Sequence, residues 1–145
     1  MVGNYKVITL CGSTRFKDQF MEAQKRLTLE GNIVISVGLF GHAGDQEVWD
    51  GMDEGTLSKT KEMLDDMHKR KIDMADEIYV INVGGYIGDS TRSEIQYAEE
   101  HGKTIRYYQE VYSDSLRNVK NFVAEPRYDH SAEEHLRQID RRNGL

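Results

Sequence analysis

Residues 5–16 run Tyr5-Lys6-Val7-Ile8-Thr9-Leu10-Cys11-Gly12-Ser13-Thr14-Arg15-Phe16, a strand-forming run that breaks at a glycine before a helical one. The first six are β-branched, aromatic or apolar apart from Lys6 and predict a strand over 5–10. Gly12 permits a tight turn and a close backbone approach. From 15 to 30, Phe16, Phe20, Ala23 and Leu27 recur at helical spacing, and Gly31-Asn32 supplies a stop signal. A buried strand that turns through glycine into an amphipathic helix is the opening unit of a parallel α/β sheet.

Working outward, the same alternation repeats. Residues 33–37 predict a second strand, 38–55 a long polar loop around Trp49, and 56–75 a helix with Leu57, Leu64, Met67 and Met74 on one side. A third strand over 77–83, a glycine-rich loop over 84–89, a helix over 90–101 and a fourth strand over 104–108 complete the pattern. Right-handed crossovers leave few topologies. The expected one puts strand 1 between strands 2 and 3, so that the chain reverses direction there. A crevice then opens at the C-terminal ends of strands 1 and 3. The 145 residues are read as one domain, 1–145, with 110–145 as a helical C-terminal extension over 113–123 and 131–142.

Composition excludes several function classes. The net charge is −6, from 19 Lys+Arg against 25 Asp+Glu, which disfavours grip on a phosphate backbone, so no nucleic acid polymer is expected as partner. No apolar run approaches the length of a spanning helix, and no membrane partner is expected. The first residues lack the basic and apolar regions of a signal peptide. The single cysteine, Cys11, forms no internal disulfide, and a reducing cytoplasm is the expected location. No cofactor and no metal are assigned.

Two loops carry candidate chemistry. In residues 11–15, Gly12 frees the backbone, Ser13 is placed to cap the following helix, and Arg15 adds a planar fork suited to phosphate; an ordinary capped turn with a surface arginine is the simpler alternative. In residues 84–94, Gly84, Gly85 and Gly88 precede Asp89 and Ser90, and Glu94 is expected in the first helical turn, leaning over the crevice. The simpler alternative there is a capping box over Thr91-Arg92-Ser93-Glu94. Gly102-Lys103-Thr104 ends like a P-loop, but position 97 is Tyr97 and a strand follows, so the motif fails. No G-x-G-x-x-G follows strand 1. A lone strand-end cysteine reads as buried and inert rather than nucleophilic. Asp65 and Asp66 diverge around their helix and read as a solvated face. His68 falls on the line Leu64–His68–Ile72–Ala75, either packing or reaching the crevice rim. Trp49 is either loop packing or a lid over a base-like ligand.

At Cys11-Gly12-Ser13-x-Arg15, at Ala75-Asp76 before strand 3, and at Ser93-Glu94-Ile95-x-Tyr97-Ala98, the chain resembles the nucleoside 2-deoxyribosyltransferase-like superfamily. That group includes the deoxyribosyltransferases and the 2′-deoxynucleoside 5′-phosphate N-hydrolases. The resemblance covers roughly residues 5–108. It implies a flavodoxin-like or Rossmann-like three-layer sandwich and cleavage or transfer at an N-glycosidic bond. It further implies Glu94 as nucleophile at C1′, with His68 at the position of the family's second carboxylate. Ser13 and Arg15 would hold a 5′-phosphate, and Cys11, Gly12, Gly85, Gly88, Asp89 and Ser90 would complete the substrate site. Assembly as a homodimer or higher homo-oligomer is also implied, with Val111, Leu116, Val119, Phe122 and Leu136 as apolar positions for it. Two other readings use the same fold: a non-catalytic nucleotide-binding or sensor module, and a hydrolase of another nucleotide, as in the cytokinin-activating phosphoribohydrolases.

Overall fold

A computed structural model describes residues 1–109; the extension expected over 110–145 lies outside the described residues. Strand β1 (Val7–Gly12) is followed by α1 (Lys17–Leu29), β2 (Ile33–Ile35), a short α2 (Glu47–Asp50), α3 (Glu54–Asp73), β3 (Glu77–Ile81), α4 (Asp89–Glu100) and β4 (Thr104–Tyr107). The strands form one parallel sheet in the order β2-β1-β3-β4, with β1 between β2 and β3 as the crossover argument requires.

Alternation along the two central strands sends side chains to both faces. Ile8, Leu10, Tyr79 and Ile81 pack with Phe16, Phe20, Ala23 and Leu27 of the α1 side. Cys11, Ile78 and Val80 pack with Ile72 of α3 and Ala98 of α4. The result is the three-layer α/β, Rossmann- or flavodoxin-like arrangement. Fully buried Phe20, Leu27, Ile8 and Ile72 each contribute roughly 1.5–3 kcal/mol of hydrophobic stabilisation. Among the described residues, no helix is long and apolar enough to cross a membrane.

Local chemistry moves several boundaries. β1 runs to Gly12 rather than ending at Leu10, so Cys11 and Gly12 are strand residues paired with Val80 and Ile81. α3 begins at Glu54 because the Asp53 carboxylate accepts from the Thr56 N–H at 2.8 Å. α1 begins at Lys17, and Ser13 does not cap it: the Ser13 hydroxyl accepts instead from the Arg15 N–H at 3.3 Å, within the connecting turn. α4 begins at Asp89 with Gly88 as its N-cap and no side-chain cap. The capping box over 91–94 is therefore not formed, and Glu94 sits in the second helical turn rather than the first.

Candidate functional site

A cleft of about 610 Å³ opens beyond the C-terminal ends of β1 and β3, where an open parallel sheet places its ligands. Three walls meet there: the turn after β1 (Gly12, Ser13, Thr14, Arg15), the segment after β2 with His42 and Trp49, and the start of α4 with Tyr86, Gly88, Asp89, Ser90, Thr91 and Glu94. α3 closes it with Leu57, Lys61, Leu64, Asp65, His68 and Lys71.

Gly12 is what lets the first wall approach. Its φ is +148°, and a Cβ there would stand 2.8 Å from the Ile81 carbonyl oxygen, inside any tolerable contact. Gly84 and Gly85, at φ +67° and +84°, turn the chain off β3 in a left-handed conformation that other residues disfavour, and so deliver Gly88 and α4 to the cleft. Buried Asn82 fixes this corner, accepting from the Gln109 N–H at 2.8 Å and donating to the Gln109 carbonyl at 3.1 Å.

Glu94 reaches the cleft with only 13% of its side chain exposed. Burial raises its pKa to about 7, against a hydrogen bond from the Cys11 thiol that lowers it; the Asp65 carboxylate adds to the rise and Lys69 opposes it. His68 is also buried. Its Nε2–H donates to the Leu10 carbonyl at 3.0 Å, and Cys11 Sγ lies 3.5 Å from the same nitrogen. Burial, helped by the nearby Lys71 charge, lowers its pKa to about 4, while the Leu10 carbonyl works the other way. His68 is therefore a neutral imidazole near pH 7 and not a proton donor there. Cys11 is fully buried, and burial together with the Glu94 charge pushes its thiol well up, which keeps it protonated and unreactive.

Of the residues singled out from sequence, Gly12, Ser13, Arg15, His68, Gly88, Asp89, Ser90 and Glu94 line one cleft. Cys11 is outside its lining, buried in the core beside His68. Gly85 is also outside the lining, its N–H donating to the Asn82 carbonyl at 2.8 Å. Arg15 lies over the Tyr86 ring at 5.2 Å. Sequence reasoning missed Lys61, Lys71 and His42, and read Asp65 as part of a solvated face. Asp66 does lie on the solvated face, 3.9 Å from Arg70, but Asp65 turns to the cleft. The available signal was the helical stripe Leu57-Lys61-Leu64-His68-Lys71, at steps of three and four. His42 is brought in by its Nδ1, 2.7 Å from the Thr14 hydroxyl. Trp49 lines the cleft and lies against Gly41.

No family model matches this chain, and neither does a curated protein or a solved structure.

Proposed function

We propose that the cleft binds a nucleoside or nucleotide and that Glu94 attacks C1′ of its sugar, cleaving or transferring the N-glycosidic bond. The observation that carries this reading is Glu94 itself, a carboxyl held almost out of water in a cleft also lined by Ser13 and Arg15. The carboxylate displaces the nucleobase and forms a glycosyl ester; the departing base takes up a proton from solvent water. Water or a second base then attacks C1′ and regenerates the carboxylate. Asp65, close enough to raise the Glu94 pKa, supplies the second carboxylate near the reacting centre. His68 acts as a neutral positioning group. Ser13 and Arg15 take the 5′-phosphate, and Trp49, Leu39 and Leu57 offer an apolar wall to the base.

A second reading is a nucleotide-binding sensor without chemistry. It is favoured by the neutral, hydrogen-bonded His68 at the position where the resembling family has a carboxylate. In either case the ligand is a small molecule, and the protein works in the cytoplasm as a homodimer or larger. Incubation with a panel of nucleosides and nucleotides, followed by chromatography for free base, decides between the two. Base release that Glu94→Ala abolishes supports the enzyme; tight binding with no base release supports the sensor. Light scattering that finds only a 16.7 kDa species rejects the dimer.

A further inference from the structure

We propose that Cys11, His68 and Glu94 form a binding site for one zinc ion at the base of the cleft. Their ligand atoms, a sulfur, a ring nitrogen and a carboxylate oxygen, all lie within 4.8 Å of one another. Each comes from a different element: the C-terminal end of strand β1, the inner face of α3 and the second turn of α4. Their convergence is thus a property of the packed core and not of a flexible loop.

The Cys11–His68 distance suits a tetrahedral ion. Bond lengths of about 2.3 Å to sulfur and about 2.0–2.1 Å to nitrogen place those two atoms roughly 3.5 Å apart, and Cys11 Sγ stands 3.5 Å from His68 Nε2. The Glu94 oxygen, at 4.0 Å from the same nitrogen, has to close by roughly half an ångström, one side-chain torsion's worth of movement. A thiolate and an imidazole select zinc over magnesium or calcium, which take oxygen ligands. Charge also balances: one thiolate and one carboxylate neutralise a dication, which a buried site requires. Binding releases the thiol proton of Cys11 and, where the carboxyl is protonated, the Glu94 proton; it moves the His68 proton from Nε2 to Nδ1 and turns the ring off the Leu10 carbonyl, now 3.0 Å from that nitrogen, so that the ion and not the carbonyl oxygen faces Nε2. His68 and Glu94 both line the cleft, which leaves the fourth coordination position open toward it.

One consequence rests on the reading of Glu94 as nucleophile. An ion coordinated to that carboxylate withdraws its electron pair from C1′, so zinc is an inhibitor of base release.

The test uses reduced, chelator-treated full-length protein. Calorimetry with Zn²⁺ against a competing chelator is expected to find one ion per chain. Co²⁺ in its place is expected to give the intense visible bands of a tetrahedral ion and a near-ultraviolet thiolate charge-transfer band. Cys11→Ser should remove the charge-transfer band. His68→Ala and Glu94→Gln should each weaken binding by at least about tenfold, with circular dichroism checking that each variant is folded. If Cys11→Ser does not fold, the thiolate band of wild-type protein decides alone. Absence of that band, or Zn²⁺ affinity unchanged in folded His68→Ala and Glu94→Gln, overturns the site. The outcome is separable from the proposed activity: protein that binds zinc through Cys11 and releases no base keeps the site and loses the enzyme. Protein that releases base but gives no thiolate band does the reverse.

Discussion

Nε2 of His68 stands 4.0 Å from Oε1 of Glu94 but donates its N–H to the Leu10 carbonyl, 3.0 Å away. The two side chains have the spacing of an ion pair without being one. Burial drives the histidine down to about 4 and the carboxyl up to about 7, so over the intervening pH range the imidazole is neutral and the carboxyl mostly protonated. Both groups are kept uncharged by the same cause, loss of water.

That cause makes Glu94 a stability cost at high pH. Its pKa rises from 4.5 to about 7 on folding, so the native state binds the proton more tightly than the unfolded state. The contribution is full below pH 4.5 and is lost as pH rises through about 7. Glu94→Gln removes the ionisation while keeping the shape. Urea unfolding of chelator-treated protein should find the variant level with wild type near pH 4 and more stable at pH 8, by up to about 3 kcal/mol. Equal stability at pH 8 would refute the raised carboxyl.

Base release should follow the same group with the opposite benefit. Attack on C1′ needs the anion, so the rate should climb as pH passes through about 7 and be absent in Glu94→Gln. A rate that falls across that range would assign Glu94 to proton donation instead.

His68→Ala removes the hydrogen bond to Leu10 and opens a void beside Cys11 and Glu94. The expected loss is about 2–4 kcal/mol of stability in urea. The pH profile of base release should keep its single rise near 7, since a histidine at about 4 does not titrate in that window. A second inflection near pH 6, present in wild type and missing in the variant, would contradict the neutral imidazole.

Arg15→Ala tests the proposed phosphate contact. A charge-assisted hydrogen bond contributes about 1.5–3 kcal/mol. The affinity for a nucleoside 5′-monophosphate should therefore fall on the order of 10- to 100-fold, while the matching nucleoside changes little. Calorimetry showing equal losses for the two ligands removes the phosphate role.

Gly12→Ala places a Cβ 2.8 Å from the Ile81 carbonyl oxygen and 3.0 Å from the Ile81 Cβ. The central pair of strands must part to admit it, at about 2–4 kcal/mol. Gly31→Ala is the control. It too has a positive φ, +97°, but no atom lies within 4 Å of the new carbon, so only backbone strain of about 1 kcal/mol is expected. Thermal melts in which the two variants lose the same stability would remove the close approach as the reason for Gly12.

The order of strands and helices was legible in the chain because periodicity and glycine punctuation are local. The alternation of apolar runs led to a parallel sheet, and the crossover rule led to β1 between β2 and β3. With that order, the turn after β1 and the loop before α4 had to meet at one end of the sheet, which put Gly12, Arg15 and Glu94 near each other. Helix starts were less legible: Ser13 and Thr91 both look like caps, but Ser13 is spent inside a turn and α4 starts two residues before Thr91. Tertiary structure alone decided the charge state of the site. Cys11 and His68 are 57 residues apart and join Glu94 only once β1, α3 and α4 have packed. Nothing in the residue pattern reports how much water that packing removes. The loss of that water is what holds His68 neutral, keeps the Cys11 thiol protonated and sets the Glu94 carboxyl near 7, because desolvation depends on every neighbouring element at once.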